Sequence, residues 1–435
     1  MASAQPAPSV TQNPPDERPT GLPSSVTWTF NFDASWGTFG FGNSLFQDPK
    51  EGTGGNLSDQ WFEGSIKPAL SATYTFSSSS ELYGKVSAVG ERTYGAAPGS
   101  VGPDLSSFQA EDLSIGWRSG KSVGSVENTL DFTVGRAQYR LGHGFLLWDG
   151  AAEGGSRGGY WTNARKAFEL AAIARVKPGD AHTIEAFYLD KDDLPEHETG
   201  TRLWGANYEL TAGEASTFGV TYLSVLANPG VAPQRDGLSV LNVRAYTAPV
   251  PSVPDLSFEA EYASERNGDA LHSNAWTAQG SFELSAAAWT PKFTYRYAFF
   301  EGDDPATRRN EAFDPLLVGF SDWGYWWQGE IAGEYAIANS NMVSNLVRAH
   351  VTPTDAIGGG LMFYKFTLDQ PLTFAPGVND KHLAFEMDAY VDWQINKNFL
   401  ASFVAAFANP DTAAQQAFGR TKNLRYGMVY LAYSY

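Results

Sequence analysis

The stretch GWRSGKS (116–122) ends in the Gly-Lys-Ser triplet of a phosphate-binding loop, where backbone N–H groups cradle an anion and the lysine reaches it. Such a loop needs another glycine five positions before Gly120. Ile115 stands there, so the triplet reads as a turn between strands. The six histidines, His143, His182, His197, His272, His350 and His382, form no i, i+4 pair and no zinc-type cluster. With no cysteine in 435 residues, disulfides, thiolate metal sites and thiol nucleophiles drop out together. A barrel esterase would need Ser, His and a carboxylate brought together across strands; no Gly-x-Ser-x-Gly elbow is expected to support one, and the chain reads as a non-enzyme. The acidic runs DKDD (190–193) and EGDD (301–304) offer carboxylate oxygens of the kind Ca²⁺ takes, with solvated charge the simpler account; no other metal or cofactor is expected. A net charge of −18 and a pI near 4.7 oppose nucleic-acid binding, which needs clustered Lys and Arg to neutralise phosphates.

Charge recurs instead at alternate positions. Asp33, Lys85, Asp131, Arg175, Glu209, Arg244, Lys292, Arg296 and Arg348 all sit between apolar neighbours, and Arg118 follows Trp117. In VTWTFNFDASW, Val26, Trp28, Phe30, Phe32, Ala34 and Trp36 take one face, and Thr27, Thr29, Asn31, Asp33 and Ser35 the other. KFTYRYAFF sets Phe293, Tyr295, Tyr297 and Phe299 against Lys292, Thr294, Arg296 and Ala298. The C-terminal RYGMVYLAYSY places Val429, Leu431, Tyr433 and Tyr435 on one side.

Turn signals between such runs divide the chain into about eighteen strands, an even number as closed bacterial barrels have. The expected spans are 26–42, 61–76, 81–94, 106–119, 128–138, 166–177, 182–191, 201–212, 215–226, 236–247, 254–265, 271–287, 289–301, 341–352, 356–367, 381–395, 398–408 and 423–435. Short connections such as 77–80, 178–180 and 396–398 alternate with long ones, notably 43–60, 139–165, 302–340 and 409–422. That places short periplasmic turns at one rim and long extracellular loops at the other. A soluble sandwich also alternates, but here the apolar face is aromatic at its ends and aliphatic or small between, as at a lipid–water interface. No apolar run approaches the ~18 residues of a helical span. The expectation is all-β: a single antiparallel transmembrane β-barrel over 26–435, in the bacterial outer membrane. Residues 1–25, Pro-rich and without an apolar core, read as a disordered mature N-terminus left after removal of a signal peptide.

Several blocks of the second half resemble the alginate export porin family: EAFDPLL (311–317), SNLVRAHVTPTDAIGGGLMFYKF (344–366) and LAFEMDAYVDWQINKNFLASFVAAF (383–407). FTVGRAQYRLGHGFLLWDG (132–150) resembles that family's strand ending in Gly-Arg-Gln, with Ala137 where Gln is common. The resemblance implies an outer-membrane channel exporting an anionic exopolysaccharide, with outer-membrane lipid, lipopolysaccharide and periplasmic export components as partners. It carries over Arg136, Phe313, Asp314, Glu386 and Asp388. The inferred inner face mixes cations with at least as many carboxylates, which leaves a neutral glycan or a smaller solute open.

Candidate lumen residues are Arg136 and Arg140 at the base of loop 139–165, together with Arg244, Lys292, Arg296, Arg348, Glu386 and Asp388. Parity puts Arg296, Arg348, Glu386 and Asp388 inward. It puts Arg136 on the lipid side unless a bulge intervenes. The loop 302–340, with Phe313, Asp314, Trp323, Trp326 and Trp327, is expected to plug the bore. The competing readings are a general small-solute porin and an adhesion or scaffold barrel with a blocked lumen.

Overall fold

The computed structural model describes residues 25–43, 59–97, 102–213, 216–247, 250, 252–319, 329–333, 339–419 and 422–435. The segment expected to be disordered, 1–25, lies outside them except for Ser25.

Eighteen antiparallel strands follow one another. They are β1 (Ser25–Gly42), β2 (Asp59–Thr75), β3 (Glu81–Gly95), β4 (Ser106–Arg118), β5 (Leu130–Ala137) and β6 (Phe168–Gly179). Next come β7 (His182–Asp190), β8 (Arg202–Ala212), β9 (Ser216–Leu226), β10 (Ser239–Thr247), β11 (Leu256–Asn267) and β12 (Leu271–Glu283). The last are β13 (Lys292–Phe300), β14 (Met342–Thr354), β15 (Ile357–Leu368), β16 (His382–Gln394), β17 (Phe399–Pro410) and β18 (Leu424–Ser434). Each pairs with its sequence neighbours, and β1 pairs with β18 from Asp33↔Ser434 to Gly42↔Arg425, which closes the sheet and leaves no edge. Two short helices, α1 (Pro371–Phe374) and α2 (Thr412–Phe418), lie in connections.

Alternation assigns the faces. Val26, Trp28, Phe30, Trp36, Phe258, Phe293, Tyr295, Phe385 and Val391 are exposed on the outer wall. Their partners one residue away point into the bore. An apolar belt this continuous is stable only against hydrocarbon. No helix of the described residues is long and apolar enough to cross a membrane, so the strands are the crossing elements.

The C-terminal residue joins β1 toward the short-turn rim, where the backbones of Phe32 and Tyr435 exchange both hydrogen bonds at 3.0 Å. Ser79, at φ 68°, tightens the β2–β3 turn there. The expected strand 271–287 is shorter than the alternation suggested. β12 ends at Glu283, and 284–291 forms a turn with Trp289 and Thr290 at positive φ. The triplet at Gly120 also lies in a turn, with its N–H donating to Asn128 Oδ1 at 3.1 Å.

Candidate functional site: the narrowed bore

Inward positions on the first strands carry carboxylates, and the long connection 138–167 folds into the bore onto them. Glu63 Oε2 on β2 accepts the N–H groups of Trp161 and Thr162 at 2.7 and 2.8 Å. Glu91 on β3 accepts Ala164 N–H at 3.0 Å. Glu111 on β4 accepts Lys166 and Ala167 N–H at 2.8 and 3.2 Å, and Lys67 Nζ at 3.0 Å. All three acids are buried. Leaving such groups unpaired in a dry interior is costly, whereas charge-assisted bonds from backbone N–H groups offset that cost. Above them, Trp161 of the loop stacks on Phe39 and Tyr426 of the wall, with ring centroids 5.7 and 5.1 Å apart.

Arg136 is part of the same construction. Gly135 takes φ 122°, and the β5–β6 register shifts between Gly135 and Ala137. This bulge is the condition under which parity allowed Arg136 to leave the lipid side. Arg136 pairs with Asp192, which also receives Arg165, and Arg157 at 2.8 Å. Against the effect of burial, Arg165 and Arg136 hold the Asp192 carboxyl below its ordinary range. Glu153, buried in the inserted loop beside Glu91, is pushed well above the usual range by burial and by that neighbouring acid.

Described residues of the connection 301–341 pack against the first loop. Phe313 meets Phe300 and Phe145, with ring centroids 5.8 and 6.4 Å apart. Leu317 N–H donates to Leu146 C=O at 3.0 Å, and Trp148 N–H to Leu317 C=O at 2.9 Å. Asp314 accepts Arg235 Nε at 2.8 Å, and its own N–H donates to Glu265 at 2.9 Å. Glu386 accepts the N–H groups of Ile331 and Ala332 at 2.8 and 2.6 Å, with Asp388 buried beside it. Burial and the adjacent Glu386 push the Glu330 carboxyl well above the usual range. Trp323, Trp326 and Trp327 lie outside the described residues.

Among the described residues, one cavity on the lumen side, of about 200 Å³, is lined by Asp131, Thr133, Gln138, Tyr139, Arg140 and Arg175. Arg175 donates to Glu185 from Nε at 2.8 Å and lies 3.9 Å from Asp131, and Tyr139 donates to Glu185 at 3.4 Å. Arg140 is exposed and lies over the Trp148 ring.

The other candidate cations differ in access. Arg244 is buried on Thr221, Asn207 and Glu209, at 2.9, 2.6 and 2.5 Å. Arg296 is 2% exposed. Arg348 donates to the Tyr390 hydroxyl, Nε at 2.9 Å, and Lys292 sits opposite His350 on β14. Parity thus identified inward positions without distinguishing lining from packing. Tyr139 lies beyond the end of β5, where alternation stops, and Gln138 fell in the expected strand 128–138, which overran β5 by one residue.

The acidic runs are engaged by protein donors. Asp192 holds the arginines, Asp193 accepts Thr199 and Gly200, and Glu301 accepts Asn274. Among the described residues no group of three or more His, Asp or Glu is arranged to hold a metal ion. GGSRG (154–158) does carry the Gly-x-Ser-x-Gly spacing of a nucleophile elbow, which the sequence reading passed over. No strand-turn-helix context surrounds it, and the Ser156 hydroxyl donates to Glu196 at 2.7 Å.

These features define an outer-membrane β-barrel of porin type, with its bore narrowed by two inward-folded connections. No protein-family model and no curated protein matches the chain. Among solved structures it is similar to OccAB2 of Acinetobacter baumannii, at TM-score 0.59 and 12% identity over 93% of this chain and 98% of that one. It is similar to OccK5 (OpdH) of Pseudomonas aeruginosa at TM-score 0.58 and 12% identity, covering 93% and 97%. It is also similar to OpdK of Pseudomonas aeruginosa, solved with vanillate, at TM-score 0.55 and 10% identity, covering 93% and 98%. The likeness is one of fold, and it corrects the alginate-export reading. Two of the blocks that carried that reading, 344–366 and 383–407, are β14, its turn and β15, then β16 and β17, patterns set by barrel geometry rather than by cargo.

Proposed function

We propose that the chain is a passive outer-membrane channel for small polar solutes. The observation that carries this reading is the bore itself. Two connections fold inward, and a cavity of about 200 Å³ beside Arg175 and Asp131 is lined by two arginines, one carboxylate and two hydroxyls. Fixed charges of both signs can attract a solute and release it, as conduction requires. Arg140 and Arg175, with the Tyr139 hydroxyl beside them, suit a carboxylate, and OpdK, of the same fold, was solved with the aromatic carboxylate vanillate. A small aromatic or aliphatic carboxylate is therefore the first solute to test. Protein reconstituted in planar bilayers should conduct ions, and millimolar-range carboxylates should interrupt the current in brief blocks. Absence of conductance would favour the adhesion or scaffold reading.

A further inference from the structure

The lipid-facing wall is interrupted where the barrel closes. At the β1–β18 seam Gly40 pairs with Gly427, and Gly42 with Arg425. Gly40 also pairs with Gln60 on β2. Parity turns all these positions outward, because Phe39, Phe41, Tyr426 and Met428 between them are buried toward the bore. Three positions without side chains thus leave backbone bare across the seam, forming a groove of about 660 Å³ edged by Gln60, Val429 and Arg425.

Height follows from the chain. Gly42 is the last residue of β1 and Arg425 the second of β18, so the groove opens at the end opposite the start of β1 and the end of β18, in the outer leaflet. Phe62 and Phe403 are exposed on the wall nearby. Arg425 is exposed, and among the described residues no hydrogen bond or ion pair holds it; Lys422, also exposed, lies three residues before it. A guanidinium at the upper lip of an apolar groove matches a lipid whose chain is apolar and whose head carries phosphate, the anion that its planar donor fork binds best.

We propose that this groove seats one phosphate-bearing lipid of the outer leaflet, with an acyl chain over Gly40 and Gly427 and a phosphate at Arg425. The assignment is independent of what passes through the bore.

Two variants test it in the full-length protein. Gly427→Leu fills the groove without strain, since an added Cβ meets nothing closer than Val404 C=O at 4.0 Å. Arg425→Gln removes the charge alone. Native mass spectrometry of detergent-solubilised protein with added bisphosphorylated lipid A, or its dephosphorylated form, reads occupancy, and heat-resistant migration on gels confirms that each barrel is closed. Wild type should retain one bisphosphorylated molecule and discriminate against the dephosphorylated form. Each variant should lower occupancy by roughly tenfold, the scale of one charged hydrogen bond or of the lost groove contacts. Equal retention of both lipid forms by wild type, or wild-type occupancy in either folded variant, overturns the proposal.

Discussion

Buried acids in this bore fall into two kinds that respond oppositely to pH. Asp192 gathers Arg136, Arg157 and Arg165 and is held below its ordinary range, so its contribution is complete at neutral pH. The sign follows from linkage: that contribution is lost as pH falls through the depressed value, because protonation then removes the charge the arginines need. As pH falls below the ordinary carboxylate range the inserted loop should loosen, seen as faster amide exchange over 150–166. Asp192→Asn should show the same fast exchange already at pH 7; unchanged exchange would remove Asp192 from the anchor. Glu330 is the opposite case, raised by burial and by Glu386, so it is neutral where ordinary acids are charged. Ionising it as pH rises through the raised value penalises the docked segment 329–333. Glu330→Gln, which stays neutral, should leave exchange over that segment flat with pH while wild type loosens as pH rises. Parallel pH profiles in both proteins would contradict this.

At the scale of elements, the fold of the bore depends on strand carboxylates meeting loop backbone. Glu111 takes two successive N–H groups and Lys67, so Glu111→Gln should weaken the loop's attachment by roughly 1.5–3 kcal/mol per charged bond lost and raise single-channel conductance. Unaltered conductance would mean that Glu63 and Glu91 suffice. Gly135 is the other hinge of this region. A Cβ there would meet Leu113 C=O at 2.2 Å, and φ 122° excludes other residues without strain of about 1–3 kcal/mol. Gly135→Val should therefore lower the unfolding temperature and detach Arg136 from Asp192; retained stability would show that the bulge tolerates a side chain.

The same elements show what sequence can and cannot disclose. β13, expected at 289–301 and found at Lys292–Phe300, announces itself because alternate aromatics must meet lipid. Arg136 needed the bulge, whose sequence signal is an isolated glycine within a strand run. Glu63, Glu91 and Glu111 look like any inward polar residue, because their partners are backbone groups of a loop nearly a hundred residues away from Glu63 in the extreme case. The alginate-export resemblance rested on strand and turn patterns that the architecture itself imposes.

For the molecule as a whole, the net charge of −18 says little about what the channel prefers, because selectivity is set by the few charges a passing ion meets. Arg244 and Arg296 face inward yet are buried under neighbours, so their fields reach the solute only through packed protein. Arg175 and Asp131 differ. Their side chains keep 37% and 20% exposure, they lie 3.9 Å apart, and both line the open cavity. An ion passing there meets charges of both signs, Arg175 and Arg140 against Asp131, so the wild-type preference is the difference between opposing terms. Removing one term exposes the other. Arg175→Glu should shift the reversal potential in a salt gradient toward cation selectivity, and Asp131→Asn should shift it toward anions. Raising the ionic strength should shrink both shifts, since the screening length falls to about 3 Å at 1 M salt. Opposite shifts with that salt dependence place the selective step beside these two residues; shifts of one sign, or none in either variant, place it elsewhere in the bore.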